Sequence, residues 1–125
     1  MAKQRTVKAE VKVSGVGLHT GADVHITLHP ADTSGIVFNR VDLKDVEPIA
    51  ATVANVLSTD RGTTIGKSGN SVSTIEHLMA AFSYLGIAHV TVDIDGPECP
   101  IMDGSSLPFI QAIEKVGTKE LAEKE

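Results

Sequence analysis

Cysteine, aromatic residues and long apolar runs are all scarce in this chain of 125 residues. Its one cysteine, Cys99, excludes an internal disulfide framework and a zinc cluster built from several cysteines. The longest apolar runs fall far short of the roughly 20 residues that a membrane-spanning helix requires. The N-terminal segment carries charge but lacks the apolar stretch of a secretory signal peptide. These absences predict a cytoplasmic protein without a transmembrane segment.

The charge balance is acidic, because 16 Asp and Glu against 11 Lys and Arg give a net charge of −5. Proteins that bind nucleic acid typically present a basic face or stacking rings. With three Phe, one Tyr and no Trp, this chain has few rings to offer, so we expect no nucleic-acid partner. The length suits one domain. We interpret residues 1–116 as that single domain, and the mostly charged residues 117–125 as a tail or a truncated interdomain linker.

Alternating apolar and polar residues predict β-strands in the first half of the chain. The alternation is clearest from Thr6 to Val13 and from Val24 to His29, and shorter candidate strands run from Ile36 to Val41 and from Ile49 to Leu57. A further half-buried strand is predicted over Val90–Ile94.

Two helices are predicted in the second half. Ser73-Thr-Ile-Glu76 fits a capping box with Ser73 as the N-cap and Glu76 at the third helical position, and Gly86 stands where a C-terminal cap belongs. The second helix is expected from about Ser106 to Val116, with Pro108 in its first turn. The order of elements predicts an α+β fold: a two-layer sandwich in which two helices pack on one face of a mainly antiparallel sheet.

Two patterns that suggest ligand sites have simpler explanations. Gly66-Lys67-Ser68 resembles the end of a phosphate-binding loop, but that motif requires a glycine where Arg61 stands, so we interpret it as a hairpin-like turn. His25 and His29 are four residues apart on a predicted strand, which separates them by roughly 13 Å. One metal ion cannot join them at that distance, so we interpret both as solvated histidines of a polar face.

Glu76 and His77 form the most informative pair. At about 100° per residue, both side chains leave the apolar stripe of the first predicted helix. A metal-dependent hydrolase needs a neutral imidazole as a ligand and a carboxylate beside the attacking water, and neighbouring positions at a helix start can supply both. A capping box equally explains the glutamate, and an exposed helical position equally explains the histidine. Spacing alone leaves both interpretations open.

Three motifs extend this pair into a pattern. They are Gly15-Val-Gly-Leu-His-Thr-Gly21, Ser73-Thr-Ile-Glu-His-Leu78 and Cys99-Pro-Ile-Met-Asp-Gly-Ser105. In this order and spacing they closely resemble the N-terminal half of the UDP-3-O-acyl-N-acetylglucosamine deacetylases, zinc amidases of bacterial lipid A synthesis. The resemblance runs from about Gln4 to Val116.

The resemblance implies a chemical role for each residue of the pair. His77 corresponds to a zinc ligand, and Glu76 corresponds to the general base that takes a proton from water during hydrolysis of the acetamide of a UDP-linked acylated glucosamine. The resemblance also places five further residues in family motifs: Arg61, Gly62 and Thr63 as substrate-binding residues, and His19 and Asp103 without an assigned role.

Members of this family have a second domain of similar fold. It supplies the other two zinc ligands, a His and an Asp about four residues apart, and a cationic acid that assists the leaving amine. The matched motifs of this chain supply only His77, so the resemblance implies a missing C-terminal domain as partner and no activity of the chain alone. The alternative is a non-catalytic scaffold or binding module of the same fold. Such a module would self-associate through the face that the second domain would otherwise cover.

Overall fold

The computed structural model describes residues 4–59 and 62–121. Within these two ranges the chain forms two α-helices, one short 3-10 helix (Val53–Asn55) and ten strands. The strands are β1 (Arg5–Val7), β2 (Val11–Val16), β3 (Asp23–Pro30), β4 (Ile36–Arg40), β5 (Ile49–Ala50), β6 (Val56–Ser58), β7 (Thr64–Lys67), β8 (Asn70–Val72), β9 (Val90–Ile94) and β10 (Thr118–Glu120). The helices are α1 (Glu76–Leu85) and α2 (Leu107–Val116).

A five-stranded sheet in the order β2-β3-β9-β4-β5 forms one layer of the fold. Its pairs are antiparallel, except that β4 and β9 run parallel. The register aligns apolar residues across strands, as in the pairs Ile26 with Ile94 and Leu28 with Val92. Because side chains alternate between the two faces of a strand, this register collects the buried residues on one face.

Both helices cover that buried face. Leu78 and Phe82 of α1, and Phe109 and Ile113 of α2, are fully buried in one apolar cluster together with the inward residues of the sheet. The predicted α+β arrangement, a sheet with two helices packed on one face, is therefore confirmed. Gly86 ends α1 as expected, and its backbone N–H donates to the carbonyl oxygens of Phe82 and Ser83.

Two smaller sheets flank the main one. Strands β6, β7 and β8 form an antiparallel three-stranded sheet, and β1 pairs with β10. Lys67 pairs with Asn70 across a two-residue turn, so the predicted hairpin-like turn at this place is confirmed. Neither helix of the described residues combines the length and the apolar character needed to cross a membrane.

Several predicted strand boundaries were wrong. The alternation from Thr6 to Val13 belongs to two strands, because the chain turns at Lys8–Glu10 and leaves Ala9 exposed. The segment predicted as one strand over Ile49–Leu57 contains β5, the 3-10 helix and part of β6. Part of the predicted tail, Thr118–Glu120, forms β10 and lies in register with β1.

The two histidines predicted on the polar face each contact carboxylates. His25 Nδ1 lies 2.8 Å from Asp95 Oδ2. His29 lies between Glu10 and Asp93, with its ring nitrogens 3.3 Å and 2.9 Å from their carboxylate oxygens. These contacts lie on the face of the sheet that the helices do not cover, and they give each histidine its own carboxylate partners.

Candidate active site at the start of the first helix

The segment before α1 does not form the predicted capping box. The helix begins at Glu76 with Ile75 as its N-cap, and no side chain of the described residues caps it. Thr74 has a φ of 59°, which interrupts the helical backbone between Ser73 and Glu76. Ser73 instead shares a hydrogen bond of 2.9 Å with the hydroxyl of Thr64. The capping prediction was therefore wrong, and a cap no longer explains the glutamate.

The loop before β7 packs against the carboxylate of Glu76. The backbone N–H of Thr63 donates to Glu76 Oε1 across 3.1 Å. Gly62 has a φ of 83°, and a Cβ at this position would stand 2.9 Å from Glu76 Oε2. Only glycine combines this backbone conformation with such a close approach. The structure therefore brings together three of the predicted site residues, whereas Arg61 lies outside the described residues.

His77 follows Glu76 on the same turn of α1 and is half-buried. Its Nδ1 is buried, and no group of the described residues forms a hydrogen bond with it. A buried imidazole nitrogen without a partner is uncommon in folded proteins, because burial removes its hydration without a replacement. The atom is therefore consistent with an imidazole that takes part in ligand binding.

Asp103, a motif residue without an assigned role, lies in the turn before α2. Its Oδ1 accepts hydrogen bonds from the hydroxyl of Ser105 at 2.7 Å and from the backbone N–H of Ser105 at 2.9 Å. These bonds lower the pKa of the exposed Asp103 carboxyl, and an electrostatic interaction with His77 acts in the same direction. The electrostatic interaction places Asp103 in the neighbourhood of His77.

The fit of this site to a metal ion depends on how many ligands it can offer. Throughout residues 4–59 and 62–121, no three His, Cys, Asp or Glu side chains stand close enough together to hold a metal ion. His77 carries a buried nitrogen without a partner, which suits a ligand. Catalytic zinc sites normally use three protein ligands. The described residues therefore fit a zinc site to which His77 contributes one ligand and other residues contribute the rest.

His19 lies beside a second buried carboxylate, Glu98. The backbone N–H groups of His19 and Thr20 each donate to Glu98 Oε1 across 3.0 Å. The hydroxyl of Thr74 donates to Glu98 Oε2 across 3.0 Å. Gly17 leaves room for this arrangement, since a Cβ there would stand 2.5 Å from Glu98 Oε1.

The pKa of the Glu98 carboxyl lies below its ordinary value. Burial raises this pKa, but the hydrogen bonds from Thr20, His19 and Thr74, together with the charge of the His19 ring, outweigh that effect. Because three donors point at the carboxylate, the ionised form is the one that this environment stabilises.

Two cavities adjoin these carboxylates. A polar one of about 360 Å³ is lined by His19, Thr20, Ser58, Thr64, Ser73, Pro97 and Glu98. An apolar groove of about 400 Å³ includes Glu76 and Thr63 in its wall, together with Val53, Val56, Ile65, Ile75 and Met79. The carboxylate of Glu76 therefore stands at the edge of an apolar surface, with the motif residue His19 in the neighbouring polar cavity.

The family model for LpxC, UDP-3-O-acyl N-acetylglycosamine deacetylase, matches residues 4–125. The chain belongs to this deacetylase family. It is 53% identical over 123 residues to a UDP-3-O-acyl-N-acetylglucosamine deacetylase of Geotalea uraniireducens, a match that covers 98% of this chain and 40% of that relative. A deacetylase of Saccharophagus degradans is 49% identical over 121 residues, covering 96% of this chain and 40% of the relative.

A third relative combines two enzymes in one chain. The bifunctional enzyme LpxC/FabZ of Bacteroides thetaiotaomicron is 47% identical over 121 residues, covering 96% of this chain and 26% of the relative. The chain thus spans about 40% of the length of the curated deacetylases that it matches, and corresponds to their N-terminal part.

Two residues of this region, Glu98 and Thr74, were not predicted from the sequence of this deacetylase family member. Glu98 stands in a Pro-Glu-Cys-Pro turn that indicates only a change of direction, and its partners His19 and Thr20 lie far away in the sequence. Thr74 stands inside a segment whose residue types favour a capping box. No local spacing pattern connects Thr74 to Glu98, so only the folded structure reveals their contact.

Proposed function

We propose that this chain is the part of a zinc-dependent UDP-3-O-acyl-N-acetylglucosamine deacetylase of lipid A synthesis that supplies the general base and one zinc ligand. Glu76 is the base, and His77 is the ligand. The observation that carries the proposal is their placement at the start of α1. There a backbone N–H orients the carboxylate, and the next side chain has a buried nitrogen without a partner among the described residues. The names of the relatives supply the reaction and the substrate.

The proposed role of Glu76 is proton transfer. Its carboxylate takes a proton from the water that attacks the acetamide carbonyl, so that a carbon–oxygen bond forms. The carbon–nitrogen bond then breaks, and the amine leaves with a proton as acetate is released. The hydrogen bond from Thr63 fixes Oε1 and thereby the plane of the carboxylate. A zinc ion, when bound, acts as a Lewis acid that polarises the amide carbonyl.

Substrate binding is assigned to the loop that contains Arg61, Gly62 and Thr63. Gly62 and Thr63 touch the carboxylate of Glu76, so a substrate held by this loop would lie next to the base. His19 and Asp103 stand in the same region, beside Glu98 and in the neighbourhood of His77. We leave these two without a catalytic step.

The partner that completes the site is the remaining part of the deacetylase. Support comes from the length of the relatives, of which this chain spans about 40%. It comes also from the part of the site that the structure describes, where His77 is the one residue assigned as a zinc ligand and no group of three possible ligands occurs. The isolated chain is accordingly proposed to be inactive, and its self-association stays a prediction. We place the reaction in the cytoplasm, because the named substrate is nucleotide-linked and the only cysteine cannot form an internal disulfide.

A chimera tests the proposal. This chain is joined to the C-terminal part of the Geotalea uraniireducens relative, and acetate release from UDP-3-O-acyl-N-acetylglucosamine is measured. Loss of a general base is expected to lower turnover by about 10²–10⁴-fold in E76Q, with unchanged circular dichroism. The matched control is E114Q, which alters an exposed glutamate of α2 and should keep full turnover. A folded chimera without activity, or an E76Q variant with full turnover, would contradict the proposal.

A further inference from the structure

Glu98 is an unusual residue in this domain because its carboxylate is buried. Its side chain is 2% exposed, and the nearest ring nitrogen, Nε2 of His19, lies 3.9 Å away. Burial of a carboxylate is unfavourable unless hydrogen bonds replace its hydration. Here the backbone N–H groups of His19 and Thr20 and the hydroxyl of Thr74 supply those bonds. One buried group therefore joins the Gly15–Gly21 motif to the segment before α1.

Thr74, whose hydroxyl donates to Glu98 just before α1, has a strained backbone. Its φ of 59° lies in the left-handed region, which β-branched residues rarely adopt. Such a conformation persists only where the surrounding structure enforces it. Ser73, its neighbour, is fixed to the same turn as Glu98: its N–H donates to the carbonyl of Pro97, and its carbonyl accepts from the N–H of Cys99. The segment before α1 is thus held against the Glu98 turn at two successive residues.

We propose that Glu98 is a positioning residue for Glu76. By accepting the hydroxyl hydrogen bond of Thr74, it maintains the left-handed residue after which the chain enters α1. The orientation of that entry determines where the carboxylate of Glu76, two residues later, meets Thr63 and Gly62. Since the catalytic role of Glu76 is itself proposed, the significance of this positioning for catalysis depends on the proposed function.

The experiment measures the contact between Glu76 and Thr63 directly in the 125-residue chain. The T74V variant removes the hydroxyl that donates to Glu98 and keeps the β-branched shape. We expect the Thr63 amide proton to shift upfield in its nuclear magnetic resonance spectrum and to exchange with solvent about tenfold faster, since it loses a charge-assisted hydrogen bond. The T74S variant keeps the hydroxyl and should restore both values.

A matched control separates positioning from a general loss of stability. Thr6 is fully buried, and its hydroxyl accepts a hydrogen bond from the N–H of Ala31, so T6V makes the same chemical change elsewhere. T6V should accelerate exchange across the domain without a selective change at Thr63. Equal effects of T74V and T6V at Thr63, or a T74S variant that behaves like T74V, would overturn the proposal.

A second variant covers the case in which T74V does not fold. E98Q presents an amide group where the carboxylate accepted hydrogen bonds, and it should produce the same selective change at Thr63. An unchanged Thr63 amide in a folded E98Q chain would overturn the proposal. None of these measurements involves turnover. The positioning role can therefore fail while E76Q still abolishes activity in the chimera, and it can hold while E76Q does not.

Discussion

The backbone N–H of Thr63 donates to Oε1 of Glu76 across 3.1 Å, and this bond joins the loop before β7 to the first residue of α1. A second, longer hydrogen bond connects the same segments, from the N–H of Ile75 to the carbonyl of Thr63 at 3.4 Å. The proposed base and the proposed substrate loop are therefore parts of one connected structure. A change in the loop should be detectable at the carboxylate.

The first prediction concerns Gly62, which lies against that carboxylate. In G62A the new Cβ would stand 2.9 Å from Glu76 Oε2, so the carboxylate must move and weaken its bond to Thr63. The left-handed φ of 83° adds backbone strain of about 1–3 kcal/mol. We expect lower stability in urea denaturation and a selective shift of the Thr63 amide resonance.

Gly69 provides the control for backbone strain. Its φ is 86°, but a Cβ there would meet no atom within 4 Å. G69A should therefore lose a similar amount of stability and leave the Thr63 amide resonance unchanged. If the two variants affect that resonance equally, contact between Gly62 and Glu76 is not what positions the carboxylate.

The second prediction concerns zinc. One imidazole of the described site, His77, is assigned as a ligand, whereas catalytic zinc sites normally use three. The isolated chain dialysed against a weak chelator should retain far less than one zinc ion per chain by elemental analysis. The chimera should retain zinc, and its H77A variant should lose it. Stoichiometric zinc in the isolated chain would show that the set of ligands has been assigned wrongly.

The third prediction concerns acid stability. The pKa of Glu98 in the folded chain lies below its ordinary value of 4.5, because hydrogen bonds to the carboxylate outweigh the effect of burial. The unfolded chain therefore binds this proton more tightly. The stabilisation is fully present above that ordinary value and is lost as the pH falls through the lower pKa of the folded state.

Urea denaturation at about pH 7 and about pH 4 measures this contribution. E98Q should be less stable than the unaltered chain at neutral pH, and the difference should shrink in acid. Asp42, Asp95 and Asp103 also have lowered pKa values, so the quantity to compare is the difference between the two chains. A difference that stays constant with pH would contradict the assignment of an ionised, hydrogen-bonded Glu98.

The fourth prediction concerns Arg40, which connects the five-stranded sheet to the three-stranded sheet. Its guanidinium donates to both carboxylate oxygens of Asp42, at 2.9 Å and 2.7 Å, and to the carbonyl of Ser71 in β8 at 2.9 Å. Lysine cannot reproduce this planar fork. R40K should therefore lower the free energy of unfolding by about 1–3 kcal/mol in urea denaturation.

Arg5 provides the comparison for an exposed ion pair. It contacts Glu120 at 3.3 Å, and the two side chains are 33% and 53% exposed. The Nε of Arg5 also donates to the hydroxyl of Thr118 at 3.0 Å. Because an exposed ion pair contributes about 0–1 kcal/mol, R5K should lose less stability than R40K. Equal losses in R40K and R5K would mean that burial of the Arg40 fork adds nothing to stability.

Local patterns predicted the elements whose burial follows a simple period. The alternation of β9 and the apolar spacing of α1 both describe one buried face, and the structure contains both elements. Strand β10 was missed because Thr118–Glu120 is polar, and only its pairing with β1 makes it a strand. The capping box failed for a related reason. The conformation of Thr74 depends on Glu98, a contact between distant parts of the chain that no local propensity can encode.

The candidate site was likewise predicted only in part from the sequence. The family resemblance implied that Gly62 and Thr63 line the same substrate site as Glu76, and the structure brings these three into contact. From the residue types alone, Glu76 could be interpreted either as a capping residue of the helix or as a general base. The distinction required the position of the helix start, which depends on how the preceding segment packs against the turn that contains Glu98.

The position of β9 between β3 and β4 has a consequence for how the domain folds during synthesis. Both neighbours precede β9 by many residues in the sequence. The edges of β3 and β4 that pair with β9 therefore stay unpaired until β9 has been synthesised. Non-local pairing of this kind slows folding, and unpaired apolar edges favour aggregation. Nascent chains that stall before Val90 should therefore be the species that most require a chaperone.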